Sequence, residues 1–352
     1  MYVGIDHSTT GIKVACRDDH QVRRVFQIDR RELDACAGIL AVLDDRIGLG
    51  NIDLAAITYA FGNGISAITD IEAVSTRGVK DLLGLGYETG AGAAVFDQIQ
   101  ESSVPAVVIP GVHDGLETLH PLFQFHSTWA GGDKVAAIRS ALERFEARDD
   151  GETFIWACAS SSCMAGLVSD GRLRAFFHWL GLVHGWPDLE AIRQGTEDGF
   201  DEILMQCGIL PRLGRELSDA HEVTDPALLE YVYWSTLFNV NALVPFAREV
   251  CGESLDGIFL SGRLARREHP VDVGRRLYET CLDTAPVTIL DPYASARGGS
   301  LIARDVHCGV EHVLGIPVGD VPTRPQETST ITGLLDGSVR TRLSRRGSRD
   351  PT

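Results

Sequence analysis

With 352 residues, 44% hydrophobic and 23% charged, the chain is long enough for two domains, each with its own core. A formal net charge of −17 argues against wrapping a nucleic-acid backbone, which requires a basic surface. There is no apolar run of membrane-span length and no basic, apolar leader, so the expectation is a cytoplasmic protein without a membrane partner. Eight cysteines contain no CxxC pair, which argues against a zinc ribbon or a disulfide framework and for buried thiols. Three lysines (Lys13, Lys80, Lys134) stand against twenty-nine arginines. Two readings account for that: a halophile with a salt-rich cytoplasm, or a GC-rich genome that favours arginine codons.

The chain opens on a strand ending at Asp6, a row of hydroxyls (Ser8, Thr9, Thr10), Gly11, and a second alternating strand with Lys13. Residues 2–28 are echoed by residues 154–179. Each copy is a strand, a Ser/Thr turn, a strand, a polar turn (DDH or SDG) and a third strand. After helical sequence, each is followed by a strand ending in glycine, DLAAITYAFGNG (53–64) and LDGIFLSGRLA (255–265). This long period predicts a duplicated domain, not a solenoid. Between the copies, the nearly all-apolar run 104–111 predicts a strand covered on both faces. Residues 133–148 predict a helix with Val135, Ile138, Leu142 and Phe145 on one face and Asp133 as N-cap. A long helix follows Asp225 and Pro226, with a kink or break expected at Pro245. Residues 329–352 lack an apolar period and predict a disordered basic tail. The expected division is therefore 1–150, 151–328 and the tail.

Two facing Ser/Thr turns can cradle phosphate oxygens with backbone N–H groups and hydroxyls, although one such hairpin alone is more often an ordinary turn. Asp6 can hold Mg²⁺ through water, and Lys13 can add positive charge. The sequence resembles the acetate and sugar kinase, heat-shock chaperone and actin superfamily. That resemblance implies two ribonuclease-H-like domains with ATP in the cleft between them. It also implies a first phosphate loop at Asp6–Gly11 and a second at 159–162, with Ser160, Ser161 and Ser162. An adenosine motif would run through Ser261, Gly262 and Arg263. A small-residue helix closing the same nucleotide pocket would start at Gly298, Gly299 and Ser300. The strings GIDHSTTGIK, ITYAFGNGI, GLGYETGAGAAVFDQI, VVIPGVHDG and DLEAIR resemble the methanogenesis marker protein 12 family within that superfamily. Ser8 stands where the superfamily usually has glycine, and Cys158 near where it usually has a second aspartate. Ala91 and Ala93 stand where the closer family tends to have Gly and Thr. Cysteine is a poor magnesium ligand.

Three further stretches carry alternative readings. GLGYETGAG (84–92) is either a loop closing over a ligand or a flexible connection, and is no dinucleotide fingerprint. His113, Asp114, His120 and His126 follow the strand 104–109, where ligands sit in open sheets. Asp114 is the candidate general base, while the histidines read as surface or hydrogen-bonded groups more readily than as a metal site. Trp179 and Trp186, with His178 and His184, read either as lining the substrate cleft or, more readily, as packing against the sheet or an identical subunit, so a homo-oligomer stays open. The expectation is an ATP- and Mg²⁺-binding α/β protein acting as a kinase or ATPase on an unnamed small molecule. The alternative is a degenerate member that binds nucleotide or a partner without turnover. A purely structural assembly protein ranks below both.

Overall fold

The computed structural model describes every residue except 9–10, 36–37, 59–63, 76–91, 125–129, 146–151, 184–206, 217–218, 221, 253, 267–270 and 322–352. Residues Met1–Pro322 form one compact unit. The expected tail, His126, His184, Trp186 and most of the GLGYETGAG run lie outside the described residues, as do Thr9 and Thr10.

The strands are β1 (Tyr2–Ser8), β2 (Gly11–Arg17), β3 (Val22–Ile28), β4 (Leu54–Ile57), β5 (Thr69–Asp70), β6 (Ala106–Val108), β7 (Thr153–Ala159), β8 (Cys163–Ser169), β9 (Arg172–His178), β10 (Gly257–Ser261), β11 (Val287–Ile289), β12 (His312–Val313) and β13 (Ile316–Pro317). The helices are α1 (Arg30–Ala35), α2 (Ile39–Ile47), α3 (Gly92–Gln100), α4 (Pro121–Gln124), α5 (Gly132–Leu142), α6 (Ile209–Arg212), α7 (Pro226–Phe246), α8 (Val273–Cys281) and α9 (Ala294–His307).

The duplication read from the sequence is the architecture. One sheet has the order β3-β2-β1-β4-β6-β5 and the other, read from its far edge, β9-β8-β7-β10-β11. In each, an antiparallel three-strand meander is extended by strands parallel to its first member, β4 and β6 in one sheet and β10 and β11 in the other, and β5 closes the first sheet as an antiparallel edge. The ladders of both middle strands shift register near their ends, at Cys16/Arg17 and at Leu167/Val168. Such a bulge sharpens the twist of the meander.

Period-two alternation sorts the two faces of the first sheet. Val3 and Ile5 pack with Ile39, Val42 and Leu43 of α2 and Val95, Phe96 and Ile99 of α3. Gly4, on the other face, meets α9: a Cβ there would lie 2.0 Å from the Ala296 carbonyl oxygen. In the second sheet, Gly166 faces Ile138 of α5 at 3.0 Å from its would-be Cβ, while Cys163, of opposite parity, faces Val232 of α7. The helices thus trade places. Helix α5, from the first half of the chain, lies on the second sheet, and α9, from the second half, lies on the first.

The two exchanged helices pack directly on each other. A Cβ on Gly298 would stand 1.6 Å from the Ala136 carbonyl oxygen, and one on Gly299 would stand 3.1 Å from Gly4 Cα. These glycines therefore let backbone lie on backbone. They sit in the second turn of α9, not at its start as the sequence predicted, and their open faces are taken up by α5 and β1. At the other end of the pair, Arg139 of α5 bonds Asp305 of α9 at 2.8 Å, and fully buried Arg17 of β2 reaches Glu143 at 3.2 Å.

Helix α7 starts as its sequence predicts, with Asp225 accepting from Ala227 N at 2.9 Å and Pro226 in the first turn. Regular α geometry ends one residue after Pro245, where Ala247–Cys251 winds as a π-helix. This is the expected break, displaced one residue. Helix α5 differs: the N-cap is Gly131 and Asp133 lies in the first turn, so its carboxylate is free for other work.

Replacing Gly298 with Ala forces α5 and α9 apart against backbone that cannot yield. The expected cost is about 2 kcal/mol or more. Gly50→Ala, at a site with nothing within 4 Å, should change stability by less than about 0.5 kcal/mol. Urea midpoints of the two variants measure the contrast, and equal midpoints would contradict this packing.

Candidate functional site

Strand register places the first group of site residues. Asp6 pairs with Lys13 across the β1–β2 ladder, and both share the face of Gly4, toward α5 and α9. Thr58 follows β4 on the same face, and its hydroxyl donates to Asp6 Oδ1 at 3.2 Å. His7 Nδ1 lies 3.3 Å from that hydroxyl, which accepts from it. Gly11 closes the hairpin at φ +136°, where a Cβ would stand 2.5 Å from the Ile28 carbonyl oxygen. Its absent side chain is therefore demanded by β3.

The second group comes from the start of α5. Gly132 lets this helix begin against the end of the first sheet, its would-be Cβ being 2.3 Å from the Ile109 carbonyl oxygen. That contact delivers Asp133 and Lys134 to Asp6. The Lys134 ammonium bonds the Asp133 carboxylate, and its side chain is only 14% exposed.

The third group is the turn after β7. Cys158 shares the face of Trp156 and Gly166, the one turned to α5. Its thiol lies 3.4 Å from Ser160 Oγ, which also lies 3.4 Å from both Ser162 N and Ser162 O. Ser161 accepts from Leu182 N and Val183 N through its carbonyl, and Ser162 is buried. The turn after β10 lies against this one. Gly262, at φ +97°, has its would-be Cβ 2.4 Å from the Ala159 carbonyl oxygen, and Leu264 N donates to that same oxygen at 3.0 Å. Ser261 Oγ donates to the Ala157 carbonyl at 3.3 Å, and the Arg263 guanidinium donates to the Ala220 carbonyl.

Electrostatics ties the groups into one site. Burial, and then the charge of Asp133, push the Asp6 carboxyl up to about 7 against the pull of Lys13, Lys134 and the Thr58 hydrogen bond. Burial works against the charge on Lys134, but Asp133, Cys158 and Asp6 outweigh it and hold the ammonium well above its ordinary range. Lys134 thus stands within electrostatic reach of both duplicated turns, Asp6 on one side and Cys158 on the other. Burial pushes the neighbouring Cys163 thiol up to about 12, which makes it an inert core group.

The loop after β6 is arranged differently from its sequence reading. His113 Nε2 donates to the Ile65 carbonyl at 2.8 Å and its Nδ1 accepts from Gly115 N at 3.0 Å. This ring braces the loop. Asp114 is 73% exposed and is not among the groups that bear on Asp6. His120 Nδ1 accepts from Leu122 N, and its ring stands edge-on to Phe246. Among the described residues no three His, Cys, Asp or Glu side chains cluster as a metal site.

No family model matches the sequence. Two relatives span nearly all of it. The UPF0285 protein of Methanocaldococcus jannaschii is 31% identical over 335 residues, 90% of this chain and 98% of that protein. The chain belongs to the UPF0285 family. A second member, from Methanothermobacter thermautotrophicus, is 31% identical over 338 residues, with 90% of this chain and 98% of that one covered. Among solved structures, a propionate kinase from Francisella tularensis matches with a TM-score of 0.51 at 12% identity, over 84% of this chain and 98% of that one. The likeness is one of fold: this UPF0285 chain has the two-sheet, actin-like ATPase architecture expected from its sequence.

Three site residues escaped the sequence reading: Thr58, Asp133 and Lys134. Thr58 carried no signal. Asp133 was hidden by its fit to an N-cap. Lys134 did carry one, because a chain with only three lysines places two of them, Lys13 and Lys134, at one site. Lysine offers a compact, mobile point charge that arginine does not.

Asp6 gives the site a pH signature. A carboxyl raised from 3.8 to about 7 in the folded state favours folding fully below its unfolded pKa and loses that contribution as pH climbs through the folded one. At about 1.4 kcal/mol for each tenfold change in proton affinity, the loss amounts to a few kcal/mol. Asp6→Asn, which cannot ionise, should therefore gain stability relative to the wild type between about pH 4 and pH 8. Urea unfolding of both proteins across that range reads the difference, and parallel profiles would contradict the burial of an ionisable Asp6.

Proposed function

We propose that this protein binds ATP with its phosphates between the turn after β1 and the turn after β7, and that it is a phosphotransferase or ATPase. The reading includes the likeness to the methanogenesis marker protein 12 family and a small-molecule acceptor. One observation carries it: Lys134, paired with Asp133, acts electrostatically both on Asp6 in β1, beside Lys13, and on Cys158 in β7. Phosphoryl transfer asks for this kind of set, namely positive charge for the phosphate oxygens and a carboxylate to orient the nucleophile.

The fit to Mg²⁺ can be judged from the donors. Asp6 and Asp133 feel each other's charge and supply hard oxygens, whereas the second turn supplies only the sulfur of Cys158. Mg²⁺ keeps several waters and binds proteins through one or two carboxylates plus phosphates, so Asp6, with Asp133 beside it, fits the ion through water. When bound, the ion would neutralise charge on the phosphates. Lys13 and Lys134 would take phosphate oxygens, and backbone N–H groups of Ser8–Gly11 and Ser160–Ser162 would cradle them. The turn Ser261–Arg263 would border the nucleoside. Asp133, nearer to Asp6 than exposed Asp114, is the better candidate to orient an attacking hydroxyl or water.

A second reading has its own support. Cys158 in place of a hard donor, and the pairing of Asp133 with Lys134, both favour a protein that binds nucleotide without turning it over. Thermal unfolding with ATP, ADP and Mg²⁺, followed by an ADP-release assay across candidate acceptors, separates the two. A ligand present at about a hundred times its dissociation constant adds roughly 2.7 kcal/mol to stability. Asp6→Ala should abolish the Mg²⁺-dependent part of the shift. Lys134→Met should weaken ATP binding at least about tenfold while leaving the protein folded. No shift with any nucleotide would remove both readings, and a shift without ADP would leave the second.

A further inference from the structure

The outer face of α7 belongs to no part of the site. From Tyr231 to Phe246 this helix carries no charged residue, in a chain whose net charge is −17. Its inner face packs on the second sheet, on the side opposite α5. Its outer face leaves Trp234 48% and Phe238 50% exposed, their rings 5.9 Å apart. Trp179, also half-exposed, extends the same patch. Its side chain bonds that of Tyr231, and Ser235 Oγ donates to the Leu180 carbonyl at 2.5 Å, so the segment after β9 is fastened along α7. Exposed Asn241, Ala242 and Pro245 continue the stripe, while the Glu230–Arg276 ion pair lies on its rim. An aromatic centre inside a polar rim is the anatomy of an interface, and contiguous apolar surface of this kind marks a contact site.

Charge selects the occupant. Two copies of so acidic a chain repel across most of their surfaces, and a face without carboxylates is where they can meet. An antiparallel pairing of α7 with α7 also sets their dipoles head to tail. At 21 residues the helix is about 30 Å long, and half-exposed Trp179 beside it widens the face that a second copy would cover. We infer that the protein is a two-fold homodimer joined through α7, with Trp234 of each copy packed against Phe238 of the other across the axis. Because α7 and α5 lie on opposite faces of the second sheet, this contact leaves the Asp6–Lys134 site open, and the inference stands apart from any nucleotide activity.

The test is mass in solution. The full chain, 38.2 kDa, should sediment as a dimer of twice that mass at micromolar concentration. Its dissociation constant should tighten as salt is raised, since salt screens the repulsion between acidic copies. Trp234→Glu with Phe238→Glu should raise that constant at least about a hundredfold and give a monomer with unchanged circular dichroism. If the double variant fails to fold, Phe238→Ser, which adds no charge, takes its place with a smaller loss in the same direction. A wild type that stays monomeric up to about 100 µM overturns the inference, whether the face is then covered by residues 322–352 or by another protein. A dimer that survives the substitutions overturns it as well.

Discussion

The close approach of α5 and α9 is the constraint from which the rest of the molecule follows. Gly298 lies with its α-carbon against the Ala136 carbonyl, and Gly4 lies against α9 in the same manner. With no side chain between them at Gly298, the two helices form a single layer that both sheets share. That layer carries the exchange of helices between the halves of the chain. It also fixes where the first turn of α5 emerges, beside the end of β1, and so it positions Asp133 and Lys134. The buried pair Arg139–Asp305 and the half-buried pair Arg17–Glu143 fasten the far end. Removing one partner of such a pair leaves an uncompensated charge and is costly, whereas the intact pair contributes little net stability.

At the near end the same layer creates an almost neutral set of charges in a poorly hydrated place. Two carboxylates, Asp6 and Asp133, face two ammonium groups, Lys13 and Lys134. Desolvation makes Asp6 and Lys134 dependent on their charged neighbours. In the proposed reading, a phosphate chain entering this set would exchange with the carboxylate partners of the lysines. On the second turn the sulfur of Cys158 adds no hard donor.

Much of the fold was legible because it depends on local patterns that recur. The repeated meander, its Ser/Thr turns, the covered strand around Val107 and the capped start of α7 follow from alternation, turn residues and caps. The site was legible in part. Asp6 and Lys13 share a face because a hairpin of given length fixes its own register. Asp133 and Lys134 were not legible as site residues, because a small shift in the N-cap, from Asp133 to Gly131, decides whether that carboxylate serves the helix or the cleft. Gly298 and Gly299 read as a ligand-facing pair, yet their bare surfaces meet α5 and β1, and the sequence of α9 does not say what lies opposite it. Asp114 read as a base at a strand end, but its side chain faces solvent while His113 braces the loop.

By itself the sequence determined the duplicated α/β plan, the acidic surface, the scarcity of lysine and the hydroxyl-lined turns, since composition and period act over a few residues at a time. Only the tertiary structure decided that Lys134 and Asp133 come within electrostatic reach of Asp6 and Lys13, and that the uncharged stripe of α7 points outward. Both depend on the packing of segments far apart in the chain, and that separation leaves no local trace in the order of the amino acids.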